Sequence, residues 1–236
     1  RRYGKDERIT SRAQIIVSHM PWNELSHIVQ QEKPDMLFLE FDGHFQALCV
    51  SADEVLSHLS CNVALMRGKL SHKPRQVLVP VRGGPHAELA LRVGLGLNPK
   101  GVTALHLRRS DLESSQDAPF KGLERVLQQM QEVKKQFVST NDPAQMILES
   151  AKGMDVVILG TTIQPLTSSV TLRSLADRIL REAPCPVIAV KSGRAVPLAS
   201  FDESVGVQAI SILVDKWFAE NTFHADEFKQ LDELVS

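Results

Sequence analysis

Apolar and polar positions along residues 76–191 set short apolar runs between stretches of helical spacing. Residues 76–81 (QVLVPV) form an apolar run that stops at Arg82-Gly83-Gly84-Pro85, the pattern of a strand entering a turn. Helical spacing follows over 87–97, and residues 101–107 (GVTALHL) read as a second strand. Leu123, Val126, Leu127 and Met130, three and four residues apart, predict a helix over 121–133. Residues 136–139 read as a short third strand. Asp142-Pro143 is a helix start, because Asp can cap free amides and proline at the first helical position loses no hydrogen bond. Residues 155–160 (DVVILG) are continuously apolar, as expected of a strand covered on both faces. Leu172, Leu175, Ala176, Ile179 and Leu180 form one stripe of a helix predicted over 171–183. Pro184-Cys185-Pro186 ends it, and the last strand spans 187–190. Strands and helices in this alternation predict an α/β fold. Its core is an open five-stranded parallel sheet with helices on both faces and right-handed crossovers.

Residues 15–68 repeat the second half of that pattern. Asp35-Met36-Leu37-Phe38-Leu39 parallels Asp155-Val156-Val157-Ile158-Leu159, and Ala52-Asp53-Glu54-Val55-Leu56 parallels Ala176-Asp177-Arg178-Ile179-Leu180. Cys61-Asn62-Val63 sits where Cys185-Pro186-Val187 sits later. The expectation is a tandem: residues 1–70 carry the last three strands of a first copy, residues 74–192 a complete domain, and residues 193–236 a linker and helical tail. In the tail, residues 207–218 have helical grouping and residues 221–236 are acidic, read as a solvated end.

Composition narrows the function classes. Lys and Arg nearly balance Asp and Glu, for a net charge of -1, so nucleic acid is not the expected partner. No apolar run reaches the roughly 18 residues of a membrane span, and the opening residues lack a signal-peptide pattern. Three cysteines, Cys49, Cys61 and Cys185, are few and odd in number, which argues for a reducing compartment and a cytoplasmic location. The first residue is Arg1, which suits a piece of a longer polypeptide.

The strand VLVPV with its small-residue turn, the strand DVVILGT and the closing LADRILREAPCPVIAVK together resemble the universal stress protein family. The resemblance implies a nucleotide-binding fold with ATP or AMP at the carboxyl ends of the strands, in line with the general rule for open α/β sheets. ATP-binding members resemble one another in a pattern of Gly, two residues, Gly, nine residues, Gly, then Ser or Thr. Here Gly160 and Ser174 keep the outer positions, while Ile163 and Arg173 stand in place of the other two glycines. Arg82 stands where ATP binders usually carry an aspartate. The ligand-contact residues implied by the resemblance are Val81, Arg82, Gly83, Gly160, Thr161, Arg173 and Ser174. Isoleucine resists the backbone that glycine adopts, whereas the two arginines supply charge to an anion. In the first copy Glu40 takes the position of Gly160. Residues 214–235 resemble the leading segment of glucosyl-3-phosphoglycerate synthases, a family-2 glycosyltransferase group, through Trp217-Phe218, Asn221-Thr222-Phe223-His224 and Glu227-Phe228. That resemblance implies a stress module set ahead of a glycosyltransferase.

Other residues read more simply. Cys49, His58 and Cys61 lack a fourth zinc ligand and are expected to be two core cysteines and a half-buried histidine. Cys185 reads as a small core residue, Asp177 and Arg178 as a solvated face or a dimer contact, and Trp217 and Phe218 as helix-packing groups. No Walker loop or nucleophile elbow is present, so no enzyme activity is expected. Members of the family resemble one another in pairing the closing edge strand antiparallel across a dimer. Here that implies self-association, or a pseudo-dimer within the chain, through the runs from Val63 to Met66 and from Val187 to Val190. Three functions fit: a sensory or regulatory module for an attached or associated glycosyltransferase or transporter, an adenine-nucleotide-binding stress protein, and a structural dimerisation scaffold.

Overall fold

The computed structural model describes residues 15–41, 45–70, 73–82, 85–108, 127–128, 130–163, 170–171 and 174–193. Within 73–193 the apolar runs become β3 (Val77–Val81), β4 (Val102–Arg108), β5 (Lys134–Ser139), β6 (Val156–Gly160) and β9 (Val187–Lys191). Between them lie α3 (Pro85–Leu97), α4 (Pro143–Ser150), α5 (Ser174–Glu182) and a short ribbon of β7 (Thr162–Ile163) with β8 (Val170–Thr171). The preceding residues form α1 (Pro21–Glu32), β1 (Met36–Glu40), α2 (Ala52–His58) and β2 (Asn62–Arg67).

Seven strands hydrogen-bond into one sheet in the order β1-β2-β9-β6-β3-β4-β5. Every pairing is parallel except β2 with β9, which is antiparallel. The sheet is therefore wider than the expected five strands, because β1 and β2 extend it past β9. Alternation along each strand feeds two cores. Val77, Val79, Val102, Ala104, Val156, Ile158, Ile188 and Val190 face α3, together with Ala64 and Met66. Leu78, Leu105, Val157, Leu159, Val187 and Ala189 face α4 and α5, and Val63 and Leu65 lie on that same side with Val55 and Leu56 of α2. Both sheet faces are thus covered, which is why these strands read as unbroken apolar runs rather than alternating ones.

Helix α4 begins as its sequence predicts. The Asp142 carboxylate accepts the Gln145 amide at 3.0 Å, and Pro143 occupies the first turn. That amide, with Arg178 nearby, holds the Asp142 carboxyl below its ordinary pKa. Helix α1 also opens on a proline and closes on Lys33, whose left-handed backbone (φ 45°) returns its amide to Val29 O at 3.0 Å.

Several expectations are corrected. Helix α5 starts at Ser174 rather than Thr171, because Val170 and Thr171 pair with Ile163 and Thr162 as the β7–β8 ribbon. Strand β5 begins two residues earlier than expected, extended by its register with β4. Of the three strands expected in residues 1–70, two fall among the described residues; residues 1–14 lie outside them, and Ile15 and Val17 are 85% and 96% exposed. Cys49 and His58 are exposed rather than in the core, and only Cys61 of that trio is half-buried. Among the described residues no group of His, Cys, Asp or Glu is arranged to hold a metal, and no helix is long and apolar enough to cross a membrane. Most of the helix expected over 121–133 lies outside the described residues, although Leu127, Met130 and Val133 are buried in the α3-side core. The tail from 194 onward also lies outside them.

Candidate functional site

Strands β3 and β6 pair at Val77↔Val156 and Leu78↔Val157 and then part. Their carboxyl ends therefore open a cleft between Val81 and Gly160, into which the first turn of α3 rises. The approach is close: a Cβ on Gly160 would stand 2.7 Å from the His86 carbonyl carbon and 2.9 Å from the Ala87 nitrogen. Glycine at 160 is thus required by the packing of α3, whatever else it does.

Polar side chains at the start of α3 and just after β6 are buried. His86, Glu88 and Thr161 are all less than a tenth exposed. The Ser192 amide donates to His86 Nδ1 at 2.9 Å, so the neutral ring carries its proton on Nε2. Burial, reinforced by the nearby Lys191 charge, pushes the His86 pKa down to about 4. His86 Nε2 and Thr161 Oγ1 find no hydrogen-bond partner in the structure, an uncommon state for buried polar atoms. One Glu88 oxygen is taken by Arg92 at 2.5 Å, and the other is also unpartnered. Burial likewise lowers the pKa of Lys191, whose ammonium donates to Leu59 O.

Of the residues implied by resemblance, Val81 and Gly160 end β3 and β6, Thr161 is buried just after Gly160, and Arg82 is exposed just after Val81. Ser174 opens α5. Gly83 and Arg173 lie outside the described residues. Ile163, at the second glycine position, pairs with Val170 in the β7–β8 ribbon. An extended ladder residue does not offer the left-handed, inward-turned amides of a phosphate nest. The ribbon also touches the leading segment, since α2 lies against β8. Gly160 is thus engaged by α3 and Ile163 lies in a ladder, while residues 164–169 and 172–173 of the loop lie outside the described residues.

Sequence reasoning missed His86, Glu88 and Lys191. The available signals were a histidine and a glutamate in the first turn of a helix whose other residues, Arg92 apart, are apolar or glycine, and a lysine ending an apolar strand. It also missed a cavity of about 210 Å³ at the carboxyl ends of β4 and β5, lined by His106, Arg108, Phe137, Val138 and Ser139. The His106 Nδ1–H donates to Val81 O at 3.0 Å, which ties this cavity to the end of β3. Cys61 and Cys185 are half-buried, and burial pushes both thiols up, so neither is an activated nucleophile.

Solved structures of similar shape include the universal stress protein UspA from Lactobacillus plantarum, at 21% identity, with 51% of this chain and 100% of that one covered and a TM-score of 0.42. Another is a universal stress protein from Archaeoglobus fulgidus DSM 4304, at 18% identity, with 71% and 64% covered and a TM-score of 0.49. Comparison with curated proteins returned no match. The model of the universal stress protein family matches residues 74–191, from just before β3 to the end of β9. By that match, which spans half of its length, the chain belongs to the universal stress protein family.

Proposed function

We propose that this chain is a sensory or regulatory module, not a catalyst, whose altered phosphate loop has been turned to contact within the protein. The observation that carries this reading is the β7–β8 ribbon: Ile163 is held in a ladder with Val170, and β8 lies against α2 of the leading segment. In this reading the described parts of the loop are engaged by the chain itself.

In this reading the leading residues are an incomplete repeat of the domain, and three correspondences support it. First, β1 pairs with β2 as Leu37↔Val63 and Phe38↔Ala64, while β6 pairs with β9 as Val157↔Val187 and Ile158↔Ile188, which are equivalent positions. Second, the β2–β9 ladder is centred on Leu65↔Ala189, again equivalent positions, as a twofold-related pair requires. Third, Arg67 donates to Ala183 O and Cys185 O at 2.8 Å, and its equivalent Lys191 donates to Leu59 O. Each cation so reaches carbonyls just past the helix of the opposite half, where a positive charge is favourable. The chain is a pseudo-dimer in itself, and its regulated partner is an attached or associated protein such as a glycosyltransferase or a transporter, in the cytoplasm.

Adenine-nucleotide binding, of ATP or AMP, is the second reading. It is favoured by the unpartnered buried His86 Nε2 and Thr161 Oγ1 and by the exposed Arg82 charge.

Replacing Ile163 and Arg173 together by glycine separates the two. If those residues close the cradle, the double variant gains at least tenfold in ATP affinity by calorimetry, about 1.4 kcal/mol. Equal affinity in both proteins would refute the closed-loop explanation.

A further inference from the structure

Four successive residues at the end of β9 bond alternately to the cleft and to the leading segment. Val190 O accepts the Thr161 amide at 2.8 Å, on the cleft side. The Lys191 ammonium donates to Leu59 O, in the leading segment. The Ser192 amide donates to His86 Nδ1 at 2.9 Å, back in the cleft, and the Gly193 amide donates to Asn62 Oδ1 at 2.9 Å, again in the leading segment. Asn62 passes the contact on, because its Nδ2 donates to Asp35 O at 2.8 Å, at the start of β1. Gly193 has no room for a side chain here: a Cβ would meet the backbone of Ser60 and Cys61.

We infer that residues Val190, Lys191, Ser192 and Gly193 form a two-sided strap that couples the state of the cleft to the leading segment. Backbone groups of Val190, Ser192 and Gly193 and the side chain of Lys191 make these bonds, so contacts to both sides meet within four residues. Its bonds bind buried or half-buried polar groups that pay a desolvation penalty when left unpaired, so neither side loosens without cost to the other. The strap does not depend on what the cleft binds. Whatever engages His86 or Thr161 acts on the residues that hold Gly193 to Asn62, and linkage makes the effect reciprocal.

Amide hydrogen exchange on the full chain tests this. Asn62→Ala removes the far anchor without touching the cleft. The Thr161 amide, on the opposite side of the strap, is expected to exchange roughly tenfold faster, while the β4 amides of Val102 to Leu107 keep their protection. Asn62→Asp retains the acceptor for Gly193 and is expected to restore slow exchange at Thr161. In the reverse direction, His86→Ala is expected to speed exchange of the Asn62 side-chain amide by a similar factor, and this arm stands if Asn62→Ala does not fold. Changes confined to Gly193 and Asp35, or a rise shared equally by β4, would overturn the coupling.

Discussion

Gly160→Ala is expected to destabilise the chain by about 2–3 kcal/mol, the upper part of the range for forcing atoms into a close-packed site. The added methyl would meet main-chain atoms of His86 and Ala87 rather than a movable side chain. Relief therefore requires α3 to shift, and α3 packs against β3, β6 and β9 at once. Chemical denaturation should show a lower midpoint with an unchanged slope, since the surface exposed on unfolding is the same. A loss below about 0.5 kcal/mol, the scale of ordinary surface substitutions, would mean that the start of α3 moves freely and that the cleft is not rigidly framed. The same experiment bears on how Gly160 is read. A large loss in the absence of any ligand shows that the glycine is demanded by packing, so its presence alone is no sign of a phosphate site.

Acidification is expected to weaken the fold through His86. Its pKa is about 4 in the folded chain, against an ordinary value near 6.5 in the unfolded one. Between those values the unfolded chain binds the extra proton, so stability rises with pH. The contribution is complete above pH 6.5, falls as pH drops through the window, and is spent near pH 4. Its size is about 2 kcal/mol once partial solvent screening is allowed for. Protonation also removes the lone pair that accepts the Ser192 amide, so the loss is felt at the strap. Carboxylates titrate in the lower part of this window, so the comparison is with His86→Gln, which keeps an acceptor and does not ionise. The wild-type chain should lose about 1.5 kcal/mol more than the variant between pH 7 and pH 4.5. Parallel losses in the two proteins would show that His86 is solvated well enough to protonate normally.

The legibility of this molecule in its sequence divides along a physical line. Strands β3, β4, β6 and β9 are readable because burial on both faces demands unbroken apolar runs, and each run is cut by Gly, Pro or Asp. The start of α4 is readable because its cap is local, made by Asp142 three residues from its donor. What fails is what depends on distant partners. Thr171 has helical spacing with Leu175 but pairs with Thr162 instead. The cleft is harder still. His86, Ser192 and Thr161 are far apart along the chain, and only the closeness of α3 to Gly160 and the end of β9 brings them together. The glycine pattern is visible at once, yet its meaning here rests on a two-residue ribbon, too short for any period to reveal.

On the function proposed here, the loop of this chain holds no phosphates. Thermal unfolding of the wild-type chain with and without millimolar ATP and ADP tests it most directly. No saturable rise in Tm is expected with either. A ligand present at a hundred times its Kd would stabilise the fold by about 2.7 kcal/mol, a shift of several degrees for a domain of this size. Such a shift with ATP would contradict the account and make the chain an adenine-nucleotide sensor despite Ile163 and Arg173.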